Sequence, residues 1–175
     1  ARVVPRTGKK TVVVYWLIPA QPERELFRDL ICILAKPFNA PQFEPHLTIC
    51  RAPDRESSRK VLRRVKAAPI RLRVRGIGFS SQFTKTLFVR LHSDRALQKL
   101  IVDLGGQAIS LRDLHLSLLY KKLSPSLKKE LASAIKLPLR QIVFDSLKAV
   151  RCPSPTETRA DVETWRTIAT KRLSR

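Results

Sequence analysis

Long apolar runs are missing from this chain. The longest, from Thr11 to Pro19, is far shorter than the roughly 20 residues a membrane helix needs, so no membrane partner is expected. Acidic residues are also few: 14 Asp and Glu stand against 35 Lys and Arg, a formal net charge of +21. So strong a basic balance suits a polyanionic partner, with RNA one possibility. Only three cysteines are present, Cys32, Cys50 and Cys152. They leave at least one thiol unpaired and lack the close Cys/His spacing of a zinc site. We therefore expect no metal, and a reduced compartment, the cytoplasm or alternatively the nucleus. Low-complexity linkers are absent too, so the 175 residues read as one domain over residues 11–175, expected to be monomeric. Residues 1–10 read as a basic N-terminal arm or a remnant of processing. With 43% hydrophobic and 28% charged residues, the chain is not of the intrinsically disordered class.

The apolar pattern that is present alternates between strand and helix. Val12 to Ile18 is β-branched and aromatic and stops at Pro19, which gives a buried strand. Pro22 then opens a helix with Leu26, Phe27, Leu30, Ile31 and Leu34 in one stripe, ended by Pro37. A short strand is expected over His46 to Cys50 and a helix over Arg55 to Ala67. From Ile70 to Arg75, apolar residues alternate with Arg71, Arg73 and Arg75, giving a half-exposed strand with the arginines on one face. Thr86 to Leu91 is a strand, Asp94 caps a helix ending near Gly105-Gly106, and Leu114 to Leu119 is a strand. Ser124-Pro125 opens the last helix, with Leu127, Leu131 and Ile135 inward. Strands are expected over Leu139 to Val150 and Val162 to Ala169. The order is β-α-β-α-β, twice, which argues for an α+β fold of two similar lobes of antiparallel sheet plus helices.

Two of the three histidines occupy matching settings, Pro45-His46-Leu47-Thr48-Ile49 and Leu114-His115-Leu116-Ser117-Leu118. Each reads His-x-Thr/Ser within an apolar strand. Alternation places the imidazole and hydroxyl of each copy on one face, about 6.5 to 7 Å apart along the strand. Side by side, the two strands would bring His46, Thr48, His115 and Ser117 into one cleft. A neutral imidazole there can take a proton from water, an imidazolium can protonate a leaving oxygen, and the hydroxyls can donate to phosphate oxygens. Histidine suits both roles because its ordinary pKa of about 6.5 allows both forms near neutral pH.

Phe43-Glu44-Pro45-His46-Leu47-Thr48 and His115-Leu116-Ser117-Leu118-Leu119-Tyr120 resemble the twin signatures of the two-histidine (2H) phosphoesterase superfamily. The second is similar to that of the plant and yeast cyclic phosphodiesterase branch. Tyr15 to Pro19, Phe83 to Phe88 and Glu163-Thr164-Trp165 also look like segments of that branch. The resemblance implies a bilobed fold around a central cleft and metal-free, cofactor-free hydrolysis of a nucleoside 2′,3′-cyclic phosphate or an ADP-ribose cyclic phosphate. It implies His46, Thr48, His115 and Ser117 as the phosphate site, with Tyr120, Trp16 and Phe83 contacting substrate. We assign His115 as base and His46 as acid, by an argument that is symmetric between them. An RNA-end or 2′,5′-oligonucleotide phosphodiesterase, an RNA ligase-like relative, and a non-catalytic RNA-binding module remain as alternatives. Tyr120 is out of phase with His115, so it reaches the site only where the strand ends or bulges.

Among single residues, His92 reads as a surface or capping residue and Trp165 as core. Cys50 is either a small core residue or, by its parity with His46, a thiol on the cleft face.

Overall fold

The structure, a computed structural model, describes residues 9–53, 55–108 and 111–175. Strand β1 (Thr11–Pro19), helix α1 (Glu23–Ala35), β2 (Leu47–Arg51), α2 (Arg55–Arg64) and β3 (Ile70–Phe79) form the first β-α-β-α-β run. The second comprises β4 (Leu87–Leu91), α3 (Arg95–Leu104), the two-residue β5 (Gln107–Ala108), β6 (His115–Leu119), α4 (Pro125–Ala134) and β7 (Gln141–Pro153). A short α5 (Arg159–Glu163) and β8 (Arg166–Arg172) follow. Of the expected arm, only Lys9 and Lys10 lie within the described residues, and Lys9 is tied down by ion pairs to Asp161 and Glu157.

Local rules account for most boundaries. Along β1, Val13, Tyr15 and Leu17 enter the main core while Trp16 and Ile18 face the other way, as a period of two requires. In α1, Phe27, Ile31, Leu34 and Ala35 are buried, one stripe at helical spacing; Leu26, expected in that stripe, is 39% exposed. Asp94 caps α3 by accepting from Leu97 N, and Gly105 ends it at φ 63°, where a side chain would be strained. Helix α2 stops at Arg64, earlier than the expected Ala67. The expected strand over Val162 to Ala169 is corrected more substantially. Thr158 and Asp161 close a capping box, and these two reciprocal bonds make residues 159–163 a helix, so the strand starts at Arg166.

Every strand pair is antiparallel, in the order β1-β2-β6-β4-β3-β7-β8, and β7 also pairs with β1. The sheet thus turns back on itself in two halves, β5-β2-β1-β7-β8 and β6-β4-β3. They meet where Leu47 pairs with Leu116 and where β3 pairs with the start of β7. This is the bilobed α+β arrangement, with one qualification: the halves share a single core. Leu17, Leu47, Val89, Leu116, Leu72 and Phe144 belong to one buried cluster, and α1 of the first half packs on β6 of the second. Among the described residues no helix is long and apolar enough to cross a membrane.

Candidate active site

The seam between the halves positions the histidines. Pairing of Leu47 with Leu116 puts His46 across from Ser117 and Thr48 across from His115, all on the face opposite the two leucines. His46, Thr48, His115 and Ser117 line one cavity of about 490 Å³, together with Trp16, Tyr120 and Trp165. The fold thus brings to one cavity the four polar groups that the sequence placed in one cleft. Tyr120 reaches the cavity because β6 ends at Leu119. Phe83 stands behind it: its ring lies 5.7 Å from that of Tyr120, while Gln82, Thr84 and Lys85 of the same segment form the wall. His92 is exposed and lies outside the cavity.

Each histidine is held in the same way. Nδ1 of His46 lies 2.6 Å from the carbonyl of Glu44, and Nδ1 of His115 lies 2.8 Å from that of Asp113. A carbonyl only accepts, so Nδ1 carries the proton in both, and Nε2 is left as the exchangeable position. The carboxylates of the same two acids hold lysines, Glu44 taking Lys148 Nζ at 2.7 Å and Asp113 taking Lys85 Nζ at 2.6 Å. The repeat is thus longer than His-x-Thr/Ser. It reads acid-x-His-Leu-Thr/Ser in both copies, and the acid at the start was missed, although Glu44 and Asp113 stand at the same offset.

The surroundings differ more than the anchors. His46 is buried and stacked on Trp16, with ring centroids 3.7 Å apart and planes 15° from parallel. Trp165, expected in the core, packs against the small cluster of Trp16, Ile18 and Val150 and also lines the cavity, edge-on to the Trp16 and His46 rings, its Nε1 donating to Thr156. Burial holds His46 at about 4; the Glu44 carbonyl works against this, while His115 and Lys148 add to it. His115 is half-buried at the edge of the Phe88 ring. Burial lowers it as well, the Asp113 carbonyl opposes that, Lys85 lowers it further and the Asp113 carboxylate raises it. Tyr120 stacks on Phe43 at 3.9 Å, and burial pushes its phenol well above the ordinary value. Ser117 Oγ donates to the Thr84 carbonyl at 2.6 Å.

A bulge settles the two readings of Cys50. Thr48 pairs with Trp16 and Cys50 with Tyr15, so Ile49 is an extra residue and the parity flips. Cys50 enters the core, where burial pushes its thiol up to about 12. Arg51 takes its place on the cleft side and lines the cavity. All three cysteines are free thiols. Among the described residues no group of three or more His, Cys, Asp and Glu comes together as a metal site would.

Residues 12–112, more than half of the chain, match the family model described as "Cyclic phosphodiesterase-like protein". No curated protein matches the sequence. Among solved structures, E. coli LigT in apo form is similar with a TM-score of 0.59 at 12% identity, over 95% of this chain and 99% of LigT. E. coli LigT complexed with 3′-AMP gives 0.56 at 13% identity, over 95% and 99%. A structure described as a phosphoesterase gives 0.56 at 14% identity, over 95% and 100%. At these identities the likeness concerns the fold.

Proposed function

We propose that this chain, which belongs to the cyclic phosphodiesterase-like family of the 2H phosphoesterase superfamily, opens the cyclic phosphate of a nucleotide by water attack without a metal. The substrate is a nucleoside 2′,3′-cyclic phosphate giving the 2′-phosphate, or an ADP-ribose 1″,2″-cyclic phosphate giving the 1″-phosphate. One observation carries this reading: two imidazoles, each with Nδ1 bound to a carbonyl, line the same cavity with two hydroxyls beside them. Nucleotide binding finds support in LigT, whose structures are described as complexes with 3′-AMP, ATP and NADP+.

In the reaction a water proton passes to Nε2 of one histidine as the water oxygen bonds to phosphorus. The bond from phosphorus to one ribose oxygen breaks, and that oxygen takes the proton from Nε2 of the other. Thr48 donates to a non-bridging oxygen, Ser117 does so only on turning its hydroxyl from the Thr84 carbonyl, and Trp16, Tyr120 and Trp165 offer ring surface to the base or ribose. The environments favour His46 as base and His115 as acid, the reverse of the assignment made from sequence. Buried and held at about 4, His46 is neutral at physiological pH, the form from which a base starts. His115 is more open and lies beside Asp113, which opposes the lowering by burial, and a bound phosphate raises its proton affinity.

The test is product analysis by phosphorus NMR after incubating the protein with 2′,3′-cyclic AMP in EDTA. Conversion to 2′-AMP supports the reading. No conversion of this or of the ADP-ribose cyclic phosphate, or conversion only after a divalent ion is restored, overturns it.

A further inference from the structure

We infer that the face of β3 and β4 that continues the histidine face outward is a docking surface for the backbone of single-stranded RNA, through Arg90, Arg75, Arg73 and Arg71. This rests on the functional reading above and names the substrate class that reading leaves open: a nucleoside 2′,3′-cyclic phosphate at the end of an RNA strand. Strand register puts the arginines on that face. His115 of β6 pairs with Arg90 of β4, and Ser117 with Phe88, so Arg90 and Phe88 stand on the histidine side of the sheet. In β3, Gly76 pairs with Arg90 and Gly78 with Phe88, while Val74 pairs with Leu91. Arg75 is therefore a bulge residue, and parity flips there. Before the bulge, Ile70 and Leu72 enter the core, which turns Arg71 and Arg73 to the same side as Arg90. All four arginines are exposed. At ordinary strand spacings Arg71 lies roughly 15–20 Å from His115. A mononucleotide at the histidines leaves that end empty, whereas a stacked strand of about five or six nucleotides, at about 3.4 Å each, spans the face.

The charge on this face is unspent. Among the described residues none of the four arginines has an ion pair with an acid. Lys85, at the cavity edge, is held by Asp113. Asp145, two residues beyond the Val143 that pairs with Arg71, is held by Arg24. Arg90 is laid down on the sheet: its guanidinium lies over the Phe88 ring, 5.7 Å from the centroid. It occupies space that Gly78 leaves open, where a Cβ would stand 2.5 Å from Arg90 Nε. So held, it can grip a phosphate through paired N–H donors or stack on a base. Nη1 of Arg75 lies 3.5 Å from the carbonyl of Arg112, which directs it back toward the turn before His115. The exposed large apolar side chains, Leu26, Ile33, Phe79 and Val102, lie on the helices or, for Phe79, on the core side of β3. The face thus offers charge without the apolar insertion that a membrane surface takes.

The test measures, by fluorescence anisotropy, affinity for an eight-nucleotide RNA ending in a 2′-phosphate, the product form, which needs no turnover. Wild type is compared with Arg71→Glu/Arg73→Glu, with Arg71→Gln/Arg73→Gln in case charge reversal disturbs β3, and with the control pair Arg59→Gln/Arg63→Gln on the exposed side of α2. Affinity should fall with salt, and loss of Arg71 and Arg73 should make the log–log slope shallower by about 1.4, since each single-strand phosphate contact contributes about 0.7. At about 50 mM salt both β3 variants should bind the RNA on the order of 10-fold or more weakly, and the control pair within about two-fold of wild type. Turnover of 2′,3′-cyclic AMP should stay unchanged in all. RNA affinity that survives both β3 variants, or falls as far in the control pair, overturns the surface. So does loss of binding to phosphatidylserine vesicles in the β3 variants with RNA affinity intact, which assigns the face to a membrane. RNA binding that depends on Arg71 and Arg73 in a protein that opens no cyclic phosphate, free or at an RNA end, overturns the proposed activity and leaves the surface standing.

Discussion

The carboxylate of Asp113 holds Lys85 Nζ at 2.6 Å while the carbonyl of the same residue takes the Nδ1 proton of His115 at 2.8 Å. One residue thus fixes the tautomer of the histidine and screens it from a lysine that lowers its proton affinity. With His115 as acid, activity falls as pH rises through its pKa. Asp113→Asn removes a group that raises that pKa, so the alkaline limb of kcat/KM should move to lower pH. Lys85→Ala removes one that lowers it, and the limb should move up. pH profiles of the two variants check this; shifts of the same sign would contradict it.

The hydroxyls are not equivalent. Ser117 spends its proton on the Thr84 carbonyl, whereas Thr48 has no such commitment among the described residues. Thr48→Ala should therefore lower kcat more than Ser117→Ala, and both less than loss of a histidine. Ser117→Ala should also cost about 1 kcal/mol of stability for the lost bond. Turnover and urea midpoints of the two variants, measured side by side, decide it.

Burial of a neutral His46 makes stability depend on pH in a stated direction. Its folded pKa is about 4, below the ordinary value of about 6.5 for the unfolded chain. Between these values the unfolded state binds the extra proton, so stability falls as pH drops through the window, by about 3 kcal/mol at most. The urea midpoint of His46→Gln should lose much of that pH slope between about pH 6.5 and 4. An unchanged slope would show that His46 is not held neutral.

Gly106 lies where a Cβ would stand 2.5 Å from the Arg51 carbonyl and 3.1 Å from Cys50 Sγ. Backbone cannot yield cheaply there, so Gly106→Ala should force β5 away from β2 and cost roughly 1–3 kcal/mol. Thermal denaturation reads this; a variant as stable as wild type would mean that the contact relaxes freely.

The matched His-x-Thr/Ser strands were legible in the sequence because alternation along a strand fixes which side chains share a face. The same rule left Cys50 open between core and cleft face and hid Arg51, because a bulge that inserts Ile49 leaves no mark in a local pattern and shows only in the pairing with Tyr15 and Trp16. Trp165 was read as core on its apolar character, and only the long-range approach of β8 to β7 brings it to His46. Lys85 and Lys148 are ordinary surface lysines until the fold sets them against Asp113 and Glu44. The acids themselves were readable from their shared offset before each histidine.

The central claim is that His46 and His115 work as a pair on one phosphate. Its most direct test is turnover of 2′,3′-cyclic AMP in EDTA by wild type, His46→Ala, His115→Ala and the double variant, with circular dichroism confirming that each is folded. Each single variant should lose on the order of 10²-fold or more, and the double variant should lose less than the product of the two. Near-normal turnover in either folded single variant would contradict the account.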